Sequence, residues 1–154
     1  MWWTQSWITI QKEFSDLGDP SDITRVCVRL LVASVLGAVL GYERESSGAS
    51  AGLRTHMLVS LGSALFILIP LQAGMALDDI SRVLQGITAG IGFLGAGAIM
   101  KRQNEDIKGL TTAAGLWLTA AVGVAAGMGL EATAVLSAVF GVIILSMLRL
   151  PKDK

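Results

Sequence analysis

Five long stretches of this chain are almost free of charged side chains, and they decide what it can fold into. These stretches are residues 26–42, 57–74, 83–100, 110–127 and 132–148. Only Arg29 interrupts them. Each is about 18 residues long, so as an α-helix each measures about 27 Å, close to the thickness of a bilayer's hydrocarbon core. Backbone polar groups in lipid must be paired within a helix or a closed barrel, and barrel strands would alternate polar and apolar residues. The sequence therefore predicts an all-α, polytopic membrane bundle.

We expect five transmembrane helices preceded by a short amphipathic helix at the membrane interface. The predicted units are an interfacial segment at residues 1–24, a transmembrane domain at 25–150 and a tail at 151–154. The predicted helices cover residues 25–42, 57–74, 83–100, 110–127 and 131–148. In the first segment, apolar residues recur at spacings of three and four and form one stripe: Trp3, Trp7, Ile10, Phe14 and Leu17. Trp favours the headgroup region; a disordered tail is the alternative.

The amino-acid composition limits the classes of molecule that this chain is expected to bind. Charged residues make up 16% of the chain, against roughly a quarter in soluble domains. The 12 basic and 12 acidic residues balance, which argues against a nucleic-acid partner because such a partner calls for a basic patch. Cys27 is the only cysteine, so an internal disulfide and a multi-cysteine metal site are excluded.

Most charge outside the termini lies in two loops, residues 43–56 and 101–112. Basic residues mark the cytoplasmic side of short loops. With five spans, eight basic residues fall on the side of these loops: Arg44, Arg54, Lys101, Arg102, Lys108, Arg149, Lys152 and Lys154. Only Lys12, Arg25 and Arg82 fall on the other side. We therefore expect an external N-terminus, a cytoplasmic C-terminus, and an Arg29 side chain that extends towards the outer interface.

A short internal repeat relates the two loops. Leu36-Gly37-Ala38 precedes Gly52-Leu53-Arg54-Thr55, and Leu94-Gly95-Ala96 precedes Gly109-Leu110-Thr111-Thr112. Because both loops are predicted on one side, the two hairpins would be parallel repeats whose loops form one composite site. A chance match in glycine-rich sequence is the alternative.

Glycines at spacings that suit close helix packing form a second set of candidates. They are Gly37, Gly41, Gly86, Gly90, Gly95 and Gly97. Lipid gives no hydrophobic push between helices, so small residues that let backbones approach hold them together. We expect residues 86–98 to be the central helix of the bundle. The alternative is that these glycines line a pore.

The loops supply the candidate functional residues, which are Glu43, Arg44, Arg54, Thr55, His56, Asp106, Lys108, Gly109, Thr111 and Thr112. Glu43 closes a span, where a carboxylate is costly unless paired, so we expect it to pair with Arg54 or Lys108. Thr55 is expected to cap the second span. Alternatively, loop carboxylates such as Asp106 could hold a hydrated magnesium ion; no carboxylate spacing requires it.

Enzyme chemistry is not indicated, and neither is a cofactor. His56, the only histidine, stands one helical turn from Ser60, but two residues on one helix rarely point at a common substrate atom. A Gly-x-Ser-x-Gly pattern occurs at Gly48–Gly52, but it lies in a polar loop between two predicted helices and not in a strand-to-helix turn, and no phosphate-cradling loop occurs in the sequence. No catalytic residue is assigned.

Four stretches resemble the MgtC/SapB family of bacterial inner-membrane proteins. They are residues 41–44 (GYER), 51–64 (AGLRTHMLVSLGSA), 90–100 (GIGFLGAGAIM) and 107–114 (IKGLTTAA), the last followed by Trp117. The resemblance implies a five-helix inner-membrane domain linked to growth in low magnesium and, in pathogens, to survival in macrophages. It also implies that some members restrain the F-type ATP synthase.

This chain departs from the family pattern at three points. It stops at Lys154, where members of the MgtC type continue into a soluble domain, and Thr111 and Leu118 stand where some relatives have Asn and Cys. We predict a non-catalytic regulator that binds another membrane protein, with a homodimer also plausible. An ion transporter with a site between the loops is the alternative.

Overall fold

The fold is an all-α membrane bundle. The computed structural model describes residues 1–99 and 107–147, and these form six helices without a strand. The helices are α1 (Trp2–Glu13), α2 (Pro20–Ser46), α3 (Leu53–Gln72), α4 (Leu77–Ala98), α5 (Leu110–Gly127) and α6 (Glu131–Met147). By length and composition α2, α3 and α5 can cross a membrane, and α6 is a shorter apolar helix. The count of five spans stays a prediction for α4 and α6.

Helix α2 extends further than the sequence suggested at both ends. It begins at Pro20, a residue suited to the first helical position, and the Asp19 side chain caps it by accepting from the Ser21 N–H at 3.0 Å. At its other end the helix continues to Ser46. Glu43 and Arg44 therefore belong to the last turns of a helix and not to a loop, which fixes their direction relative to α3.

The centre of the bundle is α5, so the expectation that residues 86–98 form the central helix is wrong. Helix α5 packs against α2, α3, α4 and α6, whereas α4 packs mainly on α5. The reason lies in a row of small residues at every fourth position of α5: Gly115, Thr119, Gly123 and Gly127. All four are buried. They form a shallow strip along α5 that neighbouring helices can approach closely.

Helices α3 and α5 meet backbone to backbone. A Cβ placed on Gly123 would overlap the carbonyl oxygen of Ser60, and one placed on Gly127 would lie 2.5 Å from the carbonyl oxygen of Ala64. Ordinary carbon contacts need about 3.5 Å or more. Only glycine fits at these two positions, and dispersion contacts between main chains hold the seam.

A second glycine seam joins α2 to α3. A Cβ on Gly37 would lie 2.7 Å from the carbonyl oxygen of His56, and one on Gly41 would lie 2.7 Å from the Cα of Leu53. Helix α3 is thus in close contact with both α2 and α5.

The glycines of α4 do not share this role. At Gly95 a Cβ would make an ordinary contact, 3.4 Å from the Cβ of Ala113. At Gly86, Gly90 and Gly97 it would meet no atom of the described residues within 4 Å. The packing role predicted for these three glycines is wrong within this chain, because they face away from α5.

Arg29 caps a helix end instead of only reaching towards the interface. Its Nη1 donates to the carbonyl oxygen of Gly127 at 3.1 Å, at the C-terminus of α5. Its guanidinium also lies against Gly129, which has a positive φ of 80°. A cation at a helix C-terminus is favourable because the last carbonyls lack partners within the helix.

Helix α1 makes no packing contact with another helix of the described residues. Its residues are exposed throughout, including Trp2, Trp3 and Trp7. The helical part of the N-terminal prediction is therefore confirmed. Its position at a membrane interface stays a prediction.

Candidate functional site

The ends of the two polar loops that the structure describes meet at one end of the bundle. The Cδ of Arg44 in α2 and the Cε1 of His56 in α3 both lie 3.7 Å from the Cβ position of Gly115 in α5. The last turns of α2 and the first turns of α3 and α5 therefore share one site. We call it the end cluster; its buried polar members are Glu43, Arg44, His56, Ser60, Thr112 and Thr119.

An ion pair between sequence neighbours lies in the end cluster. The Nε of Arg44 is 3.3 Å from Oε2 of Glu43, and the two side chains are 10% and 9% exposed. The hydroxyl of Ser47 lies 2.6 Å from the carbonyl oxygen of Glu43 and 3.0 Å from its Oε1, and its one proton is shared between these two acceptors. Glu43 thus pairs with Arg44. The predicted bridge to Arg54 is not formed among the described residues, and Arg54, two residues before His56, is exposed. A bridge from Glu43 to Lys108 stays a prediction.

Glu45 caps α3, a role that the sequence reading gave to Thr55. The N–H of Leu53 donates to Oε2 of Glu45 at 2.8 Å, and Gly52 is the N-cap residue. A carboxylate at a helix N-terminus satisfies an orphan donor and complements the helix dipole. Gly52 also makes room for it, since a Cβ there would lie 2.6 Å from the same oxygen. Thr55 is exposed and makes no cap.

The two copies of the Gly-Leu-x-Thr repeat occupy equivalent positions. Gly52 is the N-cap of α3 and Gly109 is the N-cap of α5, so each helix begins at the following leucine. The copies differ in detail, because Gly109 has a left-handed φ of 94° and Gly52 has an extended backbone. Thr112 is buried, whereas Thr111 and Lys108 are exposed. Asp106 lies outside the described residues.

His56 and Ser60 are fully buried beside Thr119. The Thr119 hydroxyl donates to the carbonyl oxygen of Gly115 at 2.9 Å and lies 3.5 Å from Nδ1 of His56. Because its one proton is used, Thr119 can only accept in the contact with His56. The Nε2 of His56 and the Oγ of Ser60 have no hydrogen-bond partner among the described residues.

This arrangement holds helices together and does not align a nucleophile with a base. The long His56–Thr119 contact joins α3 to α5, while the Glu43–Arg44 ion pair lies within α2 beside them. Sequence reasoning missed Thr119 and Glu45. The signal for Thr119 was its place on the four-residue row of small residues in α5. The signal for Glu45 was its position eight residues before Leu53, across a short turn that can bring a carboxylate to the next helix start.

Carboxylates sufficient for a metal site are not found in the part of the chain that the structure describes. Within it, no group of three or more His, Cys, Asp or Glu side chains lies close enough to hold an ion. Glu105 and Asp106, on which the magnesium alternative depends, lie outside the described residues. That alternative stays a prediction.

A long groove runs between α3 and α4 on the side of the bundle. We call it the α3–α4 groove; its volume is about 840 Å³. Its α3 wall is formed by Arg54, Thr55, Leu58, Val59, Gly62, Ser63 and Phe66. Its α4 wall is formed by Val83, Gly86, Ile87, Gly90, Ile91 and Leu94. Among the described residues that line it, Arg54 is the only charged one, so this lining is apolar along its length and basic at one end.

Comparison with known proteins adds a family match. A model of the MgtC family matches residues 30–153. SrpB of Synechococcus elongatus is 43% identical over 130 residues, which cover 77% of this chain and 71% of SrpB. The Escherichia coli K12 protein named "Putative magnesium transporter YhiD" is 40% identical over 128 residues, 78% of this chain and 59% of YhiD.

MgtC of Salmonella typhimurium is 46% identical over 102 residues, which cover 66% of this chain and 43% of MgtC. The matched segment thus spans less than two thirds of YhiD and less than half of MgtC. No solved structure matches this chain.

Proposed function

The chain belongs to the MgtC family and is a multi-pass membrane protein, and from this premise we propose that it is a non-catalytic regulator of another membrane protein. The partner we propose is the F-type ATP synthase, and the setting is adaptation to low magnesium and, in a pathogen, virulence. We place the protein in the bacterial inner membrane with its N-terminus outside and its C-terminus in the cytoplasm, on the distribution of basic residues between its loops.

The packing along α3 supports regulation by binding. Between the end cluster and the opposite end, α3 and α5 are in backbone contact at Gly123 and Gly127. The adjoining core consists of small apolar side chains such as Ala33, Ala126 and Ala134. A seam of this kind leaves no width for a hydrated ion between these helices. The interactions open to this chain are therefore those of its outer faces.

One outer face carries the features expected of a docking site for a transmembrane helix. On α4, Ala89, Gly92 and Ala96 follow one another at spacings of three and four, and all three are exposed. Phe93 beside them is 80% exposed. In lipid, a shallow strip of small residues lets a second helix approach closely, and a neighbouring aromatic side chain can fill its groove. We propose that this strip, the outer face of α4, contacts a helix of the partner.

The test enlarges a small residue on that face. Ala89→Leu adds bulk on the outer face of α4, and Ala132→Leu adds the same bulk to an exposed residue of α6. In inverted membrane vesicles, ATP-driven proton pumping should fall when the wild-type protein is present. Ala89→Leu should restore pumping and lose co-purification with the ATP synthase, whereas Ala132→Leu should behave as wild type.

Two results would count against this proposal. If the wild-type protein leaves proton pumping unchanged, the ATP synthase is not the partner. If both leucine variants act alike at equal membrane levels, the outer face of α4 is not the contact.

Ion transport is the second candidate, favoured by the name of the relative YhiD and by Glu43, a carboxylate only 8% exposed at the bundle end. Intramembrane carboxylates often mark ion pathways. A magnesium flux into proteoliposomes that Glu43→Gln abolishes would establish this candidate. Flux that is absent, or that survives Glu43→Gln, would remove Glu43 from any pathway.

A further inference from the structure

The length of the α3–α4 groove along its helices is close to the thickness of one bilayer leaflet. On α3 its lining runs from Arg54 to Phe66, and on α4 from Val83 to Leu94. At 1.5 Å per residue these stretches measure about 18 Å and about 17 Å. Half of a hydrocarbon core of about 30 Å is about 15 Å. A transmembrane helix crosses both leaflets, so a groove of this length suits a single acyl chain better than a helix.

Like a phospholipid, the groove is charged at one end and apolar along the rest of its length. Arg54 and Thr55 stand at one end, in the first turn of α3, and both are exposed. Arg54 forms no ion pair with the other described residues. The N-terminus of α3 is already capped by Glu45, so it is the Arg54 guanidinium that supplies the attraction for an anion.

The remainder of the groove is apolar, and two glycines leave the backbone of α4 uncovered by side chains there. Leu58, Phe66 and Ile87 line its walls, while Gly86 and Gly90 in α4 carry no side chain towards it. A Cβ at either glycine would meet nothing within 4 Å among the described residues. The space beside them is open, and a hydrocarbon chain can lie directly on the helix there.

We propose that the α3–α4 groove binds an anionic phospholipid, with one acyl chain lying between α3 and α4 and the phosphate on Arg54. Basic residues next to grooves between membrane helices are a known basis for selecting anionic headgroups. The proposal does not depend on the proposed function. It uses the groove side of α4, whereas the partner contact uses Ala89, Gly92 and Ala96 on another side.

The experiment measures lipid retention by native mass spectrometry of the full chain in detergent, with phosphatidylglycerol and phosphatidylcholine offered in equal amounts. The wild type should retain phosphatidylglycerol preferentially. Arg54→Gln should reduce that preference about fivefold, because the apolar groove remains. Gly90→Phe fills the groove and should reduce retention of both lipids. Gly92→Phe, the same change on the outer face of α4, should retain lipid as the wild type does.

The proposal is overturned by any of three results. An unchanged preference in Arg54→Gln would remove the charge recognition. Equal retention by Gly90→Phe and Gly92→Phe would place the lipid elsewhere. Displacement of phosphatidylglycerol by inorganic phosphate alone would mean that the headgroup site binds a free anion and that the groove is not used. Thermal unfolding of each variant separates lost binding from lost fold.

Discussion

Replacing Gly123 by alanine tests whether the α3–α5 seam holds the bundle together. A Cβ at this position would overlap the carbonyl oxygen of Ser60 and lie 2.8 Å from its carbonyl carbon and Cα. These are backbone atoms, so no side-chain rotation relieves the clash, and the helices must separate by more than about 1 Å to bring the Ser60 oxygen to a normal contact. Overpacking of this kind costs about 1–3 kcal/mol, against a gain in helix propensity of about 1 kcal/mol.

The matched control is Gly62→Ala in α3. A Cβ at Gly62 would meet nothing within 4 Å among the described residues, so only the propensity gain applies, up to about 1 kcal/mol. The propensity gain is common to both variants, so they should differ in unfolding free energy by the overpacking cost of about 1–3 kcal/mol, which corresponds to a Tm difference of about 2–12 °C for a chain of this size. Thermal unfolding of the purified protein in detergent measures it. A Gly123→Ala variant as stable as Gly62→Ala would refute the seam.

Three further outcomes follow from described contacts. Glu45→Ala should lower the unfolding free energy by about 1 kcal/mol, because the N–H of Leu53 loses its cap. Glu45→Gln should recover part of that loss. Equal Tm values for the wild type and Glu45→Ala would contradict this prediction. Arg29→Met should cost about 1.5–3 kcal/mol, because the Gly127 carbonyl loses a charged donor; a Tm loss that shrinks to nothing at low salt would argue against it. In a cysteine-free background, Ser50→Cys should react with an impermeant maleimide only from the cytoplasmic side, and labelling of intact cells would reverse the orientation.

The sequence predicted the helical class of the fold because charge-free stretches of span length have few alternatives in lipid. It also predicted that the two polar loops lie together; Arg44 and His56 of the first loop lie near Gly115 of α5, but most of the second loop lies outside the described residues, so this stays a prediction. Basic residues at loop ends and the Gly-Leu-x-Thr repeat carried that information. Both depend on spacing along the chain, which the sequence records directly.

The identity of the central helix could not be read from glycine counts. Glycines show that a helix can be approached closely, but they do not show from which side or by which neighbour. Gly86 and Gly90 in α4 face an open groove, while Gly123 and Gly127 in α5 face α3. The rotation of α4 about its axis decides this, and it depends on contacts such as Gly95 with Ala113 that join distant parts of the chain.

The sequence did not show which groups the charged residues contact, for a similar reason. Glu43 and Arg44 are adjacent in a helix, and adjacent side chains leave a helix in different directions. A bridge between them was therefore not expected. Burial under α3 and α5 brings the two side chains together. The cap from Glu45 to Leu53 depends on the tight turn between α2 and α3, whose geometry a list of residue types does not contain.

The double seam along α3 limits how this protein can change shape. The two seams lie on neighbouring parts of one face of α3 and share Ser60, so α3 cannot tilt away from this face without losing main-chain contact with α2 or α5. Helices α2, α3 and α5 should thus behave as a stiff frame during any working cycle. Helix α4 packs mainly on α5 and has no such seam among the described residues, so it is freer to shift than α3.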